Sequence, residues 1–383
     1  MTNQHKNGTI VIRVMCAVLF LLFSFLYLYE YQADILSVTQ HVLSQGATHY
    51  NRTIGAVLIT LVLWLLQMAI LAVTRLNGFA HSLTYFPSLL LLGILTDVTP
   101  NLENESYIGH WFWLFPLLMI IYVGVVWMCR QIESVHFQAH NGGRLSFLWV
   151  NLLGMTVISL LTCAVGCNDR LFHYRMHIET RLLSGQYAEA SQVGVQEERT
   201  DSSLTFLRIW ALSKQKKLGD SLFEYPLVGG SDAMLPNGTS VKLMMIPETE
   251  LYKDLGVVFR KEMRPMDYFI RLHNTQWATR ASHDWLLCAY LLDGDIDGFA
   301  QSLPLYYDQE DSLPKHYQEA LTLYTHMKNN PSIVFKDPVL EADYEGFQTI
   351  KRKNRDERIR YTMLKDSYGK TYWFYYYALK HKL

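Results

Sequence analysis

Hydropathy breaks once along this chain, and the break falls between Arg144 and Asn168. Leu145 to Val165 is a run of apolar and small residues interrupted only by Asn151 and a few hydroxyls. That is about the 20 residues a helix needs to cross a bilayer. Runs of the same kind recur before it, and from Asp169-Arg170 onward no stretch is long and apolar enough to span. Charge follows the same division. Six basic and six acidic residues precede Asp169, leaving 28 and 29 for the last 215 positions. The sequence therefore predicts an all-α chain in two parts, a membrane domain over 1–168 and a soluble domain over 169–383.

A net charge of -1 and a pI near 6.9 argue against a nucleic-acid partner, which calls for a basic excess. The five cysteines are too few for a disulfide scaffold, and the second part holds only Cys288.

Five spans are predicted, near 10–29, 54–73, 79–95, 111–128 and 145–165. No small-x-small cleavage site follows the first, so it reads as an uncleaved anchor. The third is short, is broken by Pro87 and contains His81. Basic residues set the orientation. With the N-terminus inside, the inner segments carry Lys6, Arg13, Arg75, Arg130 and Arg144. The outer loops carry only Arg52, and Asp97, Glu103 and Glu105 lie in one of them. Five spans then place the C-terminal part outside. His81 and Arg13 are the ionisable residues within spans, and both are expected to reach the interface from near a span end. No paired half-helices mark a transport path, and a structural anchor is the favoured reading.

The first outer loop has its own chemistry. Ile35, Leu36, Val38, Val42 and Leu43 fall near one helical face, so this segment is expected to lie along the membrane surface. His41, His49 and Tyr50 follow closely enough to form a candidate polar outer-loop site, against the commoner role of such residues at an interface.

Beyond Leu171 the pattern is helix, short turn, helix. Segments are expected at Leu171–Leu183, Leu204–Ser213, Ser282–Leu292, His316–Met327 and Tyr372–Lys380. Breakers at Gly185, Gly219, Gly256, Gly294, Pro331 and Gly369 are spaced 34, 37, 38, 37 and 38 residues apart, a period that stacked helical hairpins produce. Gly185-Gln186-Tyr187 with Ala190 resembles the tetratricopeptide repeat, although its full aromatic pattern is not met and Pro226 to Pro247 reads as loop.

Several motifs are weighed against plainer readings. Asp293-Gly294-Asp295-Ile296-Asp297-Gly298 matches the start of a calcium loop, but Pro304 stands where the closing bidentate acid is needed, so a helix–helix turn is preferred. His173 and His177 share a helix face without an evident third ligand. Ala164-Val165-Gly166-Cys167 resembles a lipobox, with packing at a span end preferred. Lys351 to Arg360 is a basic segment that could touch anionic headgroups, with a solvated, internally paired helix as the default. Tyr372 to Tyr377 is expected to bury one face as a terminal cap. No phosphate loop, His-Glu-x-x-His, serine elbow or dinucleotide fingerprint occurs. No cofactor or metal is implied, and a non-enzyme is favoured.

Tyr31-Gln32-Ala33-Asp34 through Gln67, with Gln40-His41-Val42-Leu43 and Thr48-His49-Tyr50 inside it, resembles a family of uncharacterised bacterial multi-pass membrane proteins. Ala211-Leu212-Ser213, Leu218-Gly219-Asp220, Leu222-Phe223 and the Tyr372–Tyr377 ending are similar to the same group. The resemblance implies an inner-membrane location and helical-repeat character, with no activity and no functional residues. The expected function is a membrane-anchored scaffold, in contact with membrane lipids, whose helical-repeat domain binds protein or peptide partners. The alternative is a membrane-embedded enzyme or transport component acting on lipid or envelope glycan.

Overall fold

A computed structural model of the chain describes residues 2–100, 109–139, 144–259, 263–308 and 312–381, and every regular element among them is helical. The Lys6 and Arg144 side chains and the segment carrying Glu103 and Glu105 lie outside the described residues. The chain divides into two compact units, Met1–His173 and Tyr174–Leu383.

The first unit contains α1 (Thr2–Leu26), α2 (Ala33–Leu43), α3 (Arg52–Thr74), α4 (Phe86–Thr96), α5 (Trp111–Ala139) and α6 (Arg144–Val165). Five helical stretches are long and apolar enough to cross a membrane: Ile10–Tyr31, Arg52–Thr74, Gly78–Thr96, Trp111–Ile132 and Ser146–Val165. The third is the core of the bundle, with 61% of its residues buried against 17–28% in the others.

That burial explains how an irregular segment is tolerated there. Gly78–Tyr85 is a 3-10 helix, and Pro87 sits in the first turn of α4, where its missing N–H costs no helical bond. Non-helical backbone at membrane depth must be satisfied by protein. Asn151, the one amide of the fifth span, does this with both ends of its side chain. Its Oδ1 accepts from Ser82 N at 2.7 Å, and its Nδ2 donates to Gly78 O at 2.7 Å. Gly154, one turn on, leaves room for Ser82, whose hydroxyl would lie 2.4 Å from any added Cβ.

Two expectations for this unit are corrected. His81 does not reach the interface: it is 1% exposed, with Nδ1 3.4 Å from Leu76 O and its ring edge-on to Tyr85. Of the face expected to lie on the membrane surface, Ile35, Leu36 and Val38 are instead buried in protein, while Val42 is half-buried and Leu43 is 61% exposed. A π turn over Tyr27–Tyr31 sets up that entry. It carries Gln32 inward, where Nε2 donates to Tyr27 Oη and Cys167 O, each at 3.1 Å.

The second unit contains most of α7 (Arg170–Leu183), then α8 (Tyr187–Gln192), α9 (Ser202–Lys214), α10 (Leu218–Ser221), α11 (Glu248–Leu255) and α12 (Pro265–His273). It continues with α13 (Arg280–Asp293), α14 (Ile296–Ser302), α15 (Lys315–Met327), α16 (Pro338–Lys353), α17 (Glu357–Tyr368) and α18 (Tyr372–His381). The turns after α7, α9 and α13 share one construction. A left-handed residue follows the helix: Gly185 at φ 72°, Lys216 at φ 58° and Gly294 at φ 70°. The next amide then reaches back five residues, Gln186 to Arg181, Lys217 to Leu212 and Asp295 to Tyr290, each at 2.9 Å. These are Schellman closures.

The helices that follow have 6, 4 and 7 residues, against 14, 13 and 14 before the turns. The pairs α9–α10 and α13–α14, which pack on each other, are unequal hairpins. Gly219 is not a breaker either, since it lies inside α10, and a Cβ there would meet Pro314 and Tyr317 at 2.8 Å. Its role is close approach. The Pro226–Pro247 stretch is largely irregular, as its composition indicates, yet it supplies core residues, among them Met234, Val241 and Ile246.

Candidate functional site

The outer-loop residues are placed separately. The Schellman-like end of α2 runs through His41, whose carbonyl accepts from Gly46 N at 2.8 Å. Its half-buried ring lies over Gly46. His49 is exposed. Tyr50 packs its ring onto Gly55, where a Cβ would come within 2.3 Å of it, and burial pushes its phenol up to about 12. Among the described residues no hydrogen bond or ring contact joins the three side chains. Tyr50 is thus a packing residue at the start of α3, with its proton held far from neutral titration.

Other sequence candidates are occupied by structure. Asp293-Gly294-Asp295 is a turn: Gly294 closes α13, and Asp295 Oδ1 caps α14 by accepting from Gly298 N at 2.8 Å. His173 Nε2 lies 3.0 Å from Cys167 O, with its ring 4.7 Å from that of Tyr31, while His177 Nε2 accepts from Arg181 at 3.5 Å. Cys167 is buried, its amide bound to Thr96 O at 2.8 Å. No group of three or more metal-ligating side chains forms among the described residues.

The second unit instead buries two polar networks that hold its C-terminal helices. Glu319 Oε2 is 2.8 Å from His316 Nδ1 and accepts from Tyr372 N at 2.7 Å, at the first turn of α18. Trp373 Nε1 donates to Glu319 O at 2.7 Å, and Phe223 stands edge-on to the His316 ring. Nearby in sequence, Asp284 Oδ1 accepts from Tyr307 at 2.7 Å and Tyr317 at 3.0 Å, and burial raises the Asp284 carboxyl. His316, Glu319 and Tyr317 are sealed from solvent. These groups fix helices rather than meet a substrate. Glu179 plays the same part for the irregular stretch: fully buried, it accepts from Met244 N and Met245 N at 3.1 and 2.8 Å. Burial pushes its carboxyl up to about 7, against the opposing pull of those amides and Arg175.

One cluster opens to solvent. At the end of α12, His273 lies 5.0 Å from His283 and 4.9 Å from Tyr306, and His283 stacks on Tyr306 at 4.2 Å. All three are half-buried. His273 Nδ1 is 2.8 Å from Phe269 O, so in the neutral ring it is the donor and Nε2 carries the lone pair. That Nε2 is buried without a hydrogen-bond partner. Burial lowers both imidazole pKa values; for His283, the neighbouring His273 and Arg280 lower it further. The site is therefore neutral near pH 7, with the His273 Nε2 lone pair enclosed beside a stacked aromatic pair. Large apolar side chains flank it in sequence: Leu305 is 73% exposed beside Tyr306, and Trp277, four residues after His273, is 58% exposed. No sequence motif marks His273 or His283, because the loop and helices that bring them to Tyr306 are apart in the chain.

This cluster falls in the part of the chain that a family model recognises. The model of a family of unknown function (DUF6057) matches residues 258–379. No curated protein and no solved structure matches the chain.

Proposed function

We propose that the chain is a membrane-anchored scaffold whose second unit binds a protein or peptide partner at the His273–His283–Tyr306 surface. The observation that carries this reading is the pairing of a partnerless buried acceptor, His273 Nε2, with large exposed apolar residues, Trp277 and Leu305, beside it in sequence. Binding hot spots are typically aromatic anchors ringed by near-neutral contacts, with exposed apolar side chains that gain by burial. The complementary partner carries an apolar or aromatic side chain. The three Schellman-closed turns support a divergent, tetratricopeptide-like arrangement as the framework. The basic bias of the short inner loops supports an orientation with this unit outside, and the resemblance of the Tyr31–Gln67 stretch to bacterial multi-pass membrane proteins supports the periplasm as its compartment.

The test is site-specific photo-crosslinking in the full-length, membrane-inserted protein. A probe at position 277 should trap a discrete partner that one at Val228, also exposed, does not. Trp277→Ala should weaken capture by a factor on the order of 30, the size of a hot-spot loss. Equal trapping at both positions, or capture unchanged by Trp277→Ala and Leu305→Ala, would reject this surface.

A further inference from the structure

The chain carries a concentration of positive charge that its near-neutral total conceals. Between Lys351 and Arg360 stand six cations and two carboxylates. Two of the cations are committed to packing. Arg360 Nε donates to Tyr377 Oη at 2.8 Å, and Lys351 Nζ lies 5.5 Å above the same ring. Those contacts secure the end of α16 and the start of α17 against α18. The two carboxylates are also engaged: Asp356 caps α17 through Arg358 N and Ile359 N, and Glu357 faces His381 at 3.9 Å.

Arg352, Lys353, Arg355 and Arg358 remain, all exposed and without an ion pair among the described residues. The internally paired helix expected as the default for this segment is therefore not what forms at these four positions. Next to them, α17 shows two apolar side chains one turn apart, Ile359 at 54% and Met363 at 41% exposure. At about 100° per residue, Arg358, Thr362, Ile359 and Met363 fall within an arc of roughly 140° on the helix. Asp366 is the exposed acid on that arc, at the far end of α17.

The geometry points to a docking surface for anionic phospholipid headgroups, formed by Arg352, Lys353, Arg355 and Arg358 with Ile359 and Met363 as the inserted apolar tip. Charge complementarity selects an anionic occupant, and the exposed aliphatic pair selects one with an apolar layer beneath its charge. This surface is distinct from the His273 cluster, and its test does not depend on that one.

The experiment places an environment-sensitive label on Met363→Cys in the full-length protein, reconstituted into lipid nanodiscs that carry a quencher in the headgroup region. The expected result is quenching in bilayers containing phosphatidylglycerol, little in pure phosphatidylcholine, and relief by added salt. Arg352→Gln, Arg355→Gln and Arg358→Gln should each lower headgroup affinity about fivefold, at an unchanged thermal midpoint. A label at position 228 serves as the control. Quenching that is absent in both bilayers, or equal in both, overturns the proposal. So does a label that responds to added polyglutamate but not to anionic lipid, which would make the surface a site for an acidic polypeptide.

Discussion

At the scale of single residues, the three Schellman turns allow a comparison inside one molecule. Two of them place glycine at the left-handed position, and the third places Lys216 there at φ 58°. An L side chain in that region costs about 1 kcal/mol relative to glycine. Lys216→Gly should therefore stabilise the second unit by roughly 0.5–1 kcal/mol, read as a raised thermal midpoint of the full-length protein. Gly294→Ala should act in the opposite direction and by more, because its Cβ would meet Leu379 Cδ2 at 2.9 Å as well as the strained backbone. An unchanged midpoint in Lys216→Gly would mean that the turn is not closed as described. The histidines of the surface cluster give a pH dependence whose sign is fixed by burial. Their folded pKa values lie below the ordinary 6.5, so between the two values the unfolded chain binds more protons. Their contribution to stability is whole above about pH 6.5 and is lost as pH falls through the lower folded values. His283→Gln should flatten the acid limb of a midpoint-against-pH curve, and a curve identical to that of the parent protein would contradict the burial of the ring.

At the scale of elements, the first turn of α18 is seated on a buried carboxylate. Glu319 receives the Tyr372 amide at the helix start and faces His316, both inside the core. Removing it leaves these groups without an acceptor, and breaking such a buried polar contact costs about 3 kcal/mol. Glu319→Ala should release the C-terminal helix first, seen as a red shift of Trp373 emission and loss of amide protection over 372–381. Retention of both would mean that aromatic packing alone seats the helix. The existence of this element was legible, since Tyr372 to Tyr377 reads as one buried face and Tyr372, Trp373, Phe374 and Tyr377 are buried. Its anchor was not, because Glu319 lies 53 residues away and carries no local signature. The same contrast recurs through the chain. Apolar periodicity marked the spans and the helices of the second unit, since a span needs about 20 apolar residues and an amphipathic helix repeats near 3.6. Gly219 misled because glycine serves close packing as readily as turning. The inward turn of Ile35 and Val38, and the burial of His81, depend on what packs against them, which local pattern does not encode.

At the scale of the whole molecule, the third span decides the most. It is the shortest and least regular of the five, yet the most buried, and Asn151 ties its 3-10 segment to the fifth span. Interhelical hydrogen bonds of this kind contribute on the order of 1 kcal/mol in membranes. Asn151→Leu should destabilise the bundle by that amount, read as a lowered unfolding midpoint in detergent, without removing the span, whose apolar character it preserves. The compartment of the second unit follows from the same span. If all five segments cross and the basic inner loops keep the N-terminus in the cytoplasm, Leu383 lies outside. Alkaline phosphatase fused after Leu383 should then be active, and a cytoplasm-reporting fluorescent protein dark there, with fusions after Arg130 and Asn104 as inner and outer controls. Fluorescence at Leu383 with the signals at Asn104 and Arg130 exchanged would mean that Gly78–Thr96 enters the membrane without crossing it, provided that the first loop stays outside. A fusion after Gly46, in the loop between the first two spans, separates that outcome from a reversed chain, because only reversal places that loop inside. The partner would then be sought in the cytoplasm, while the His273 surface and its complementary chemistry would stay the same.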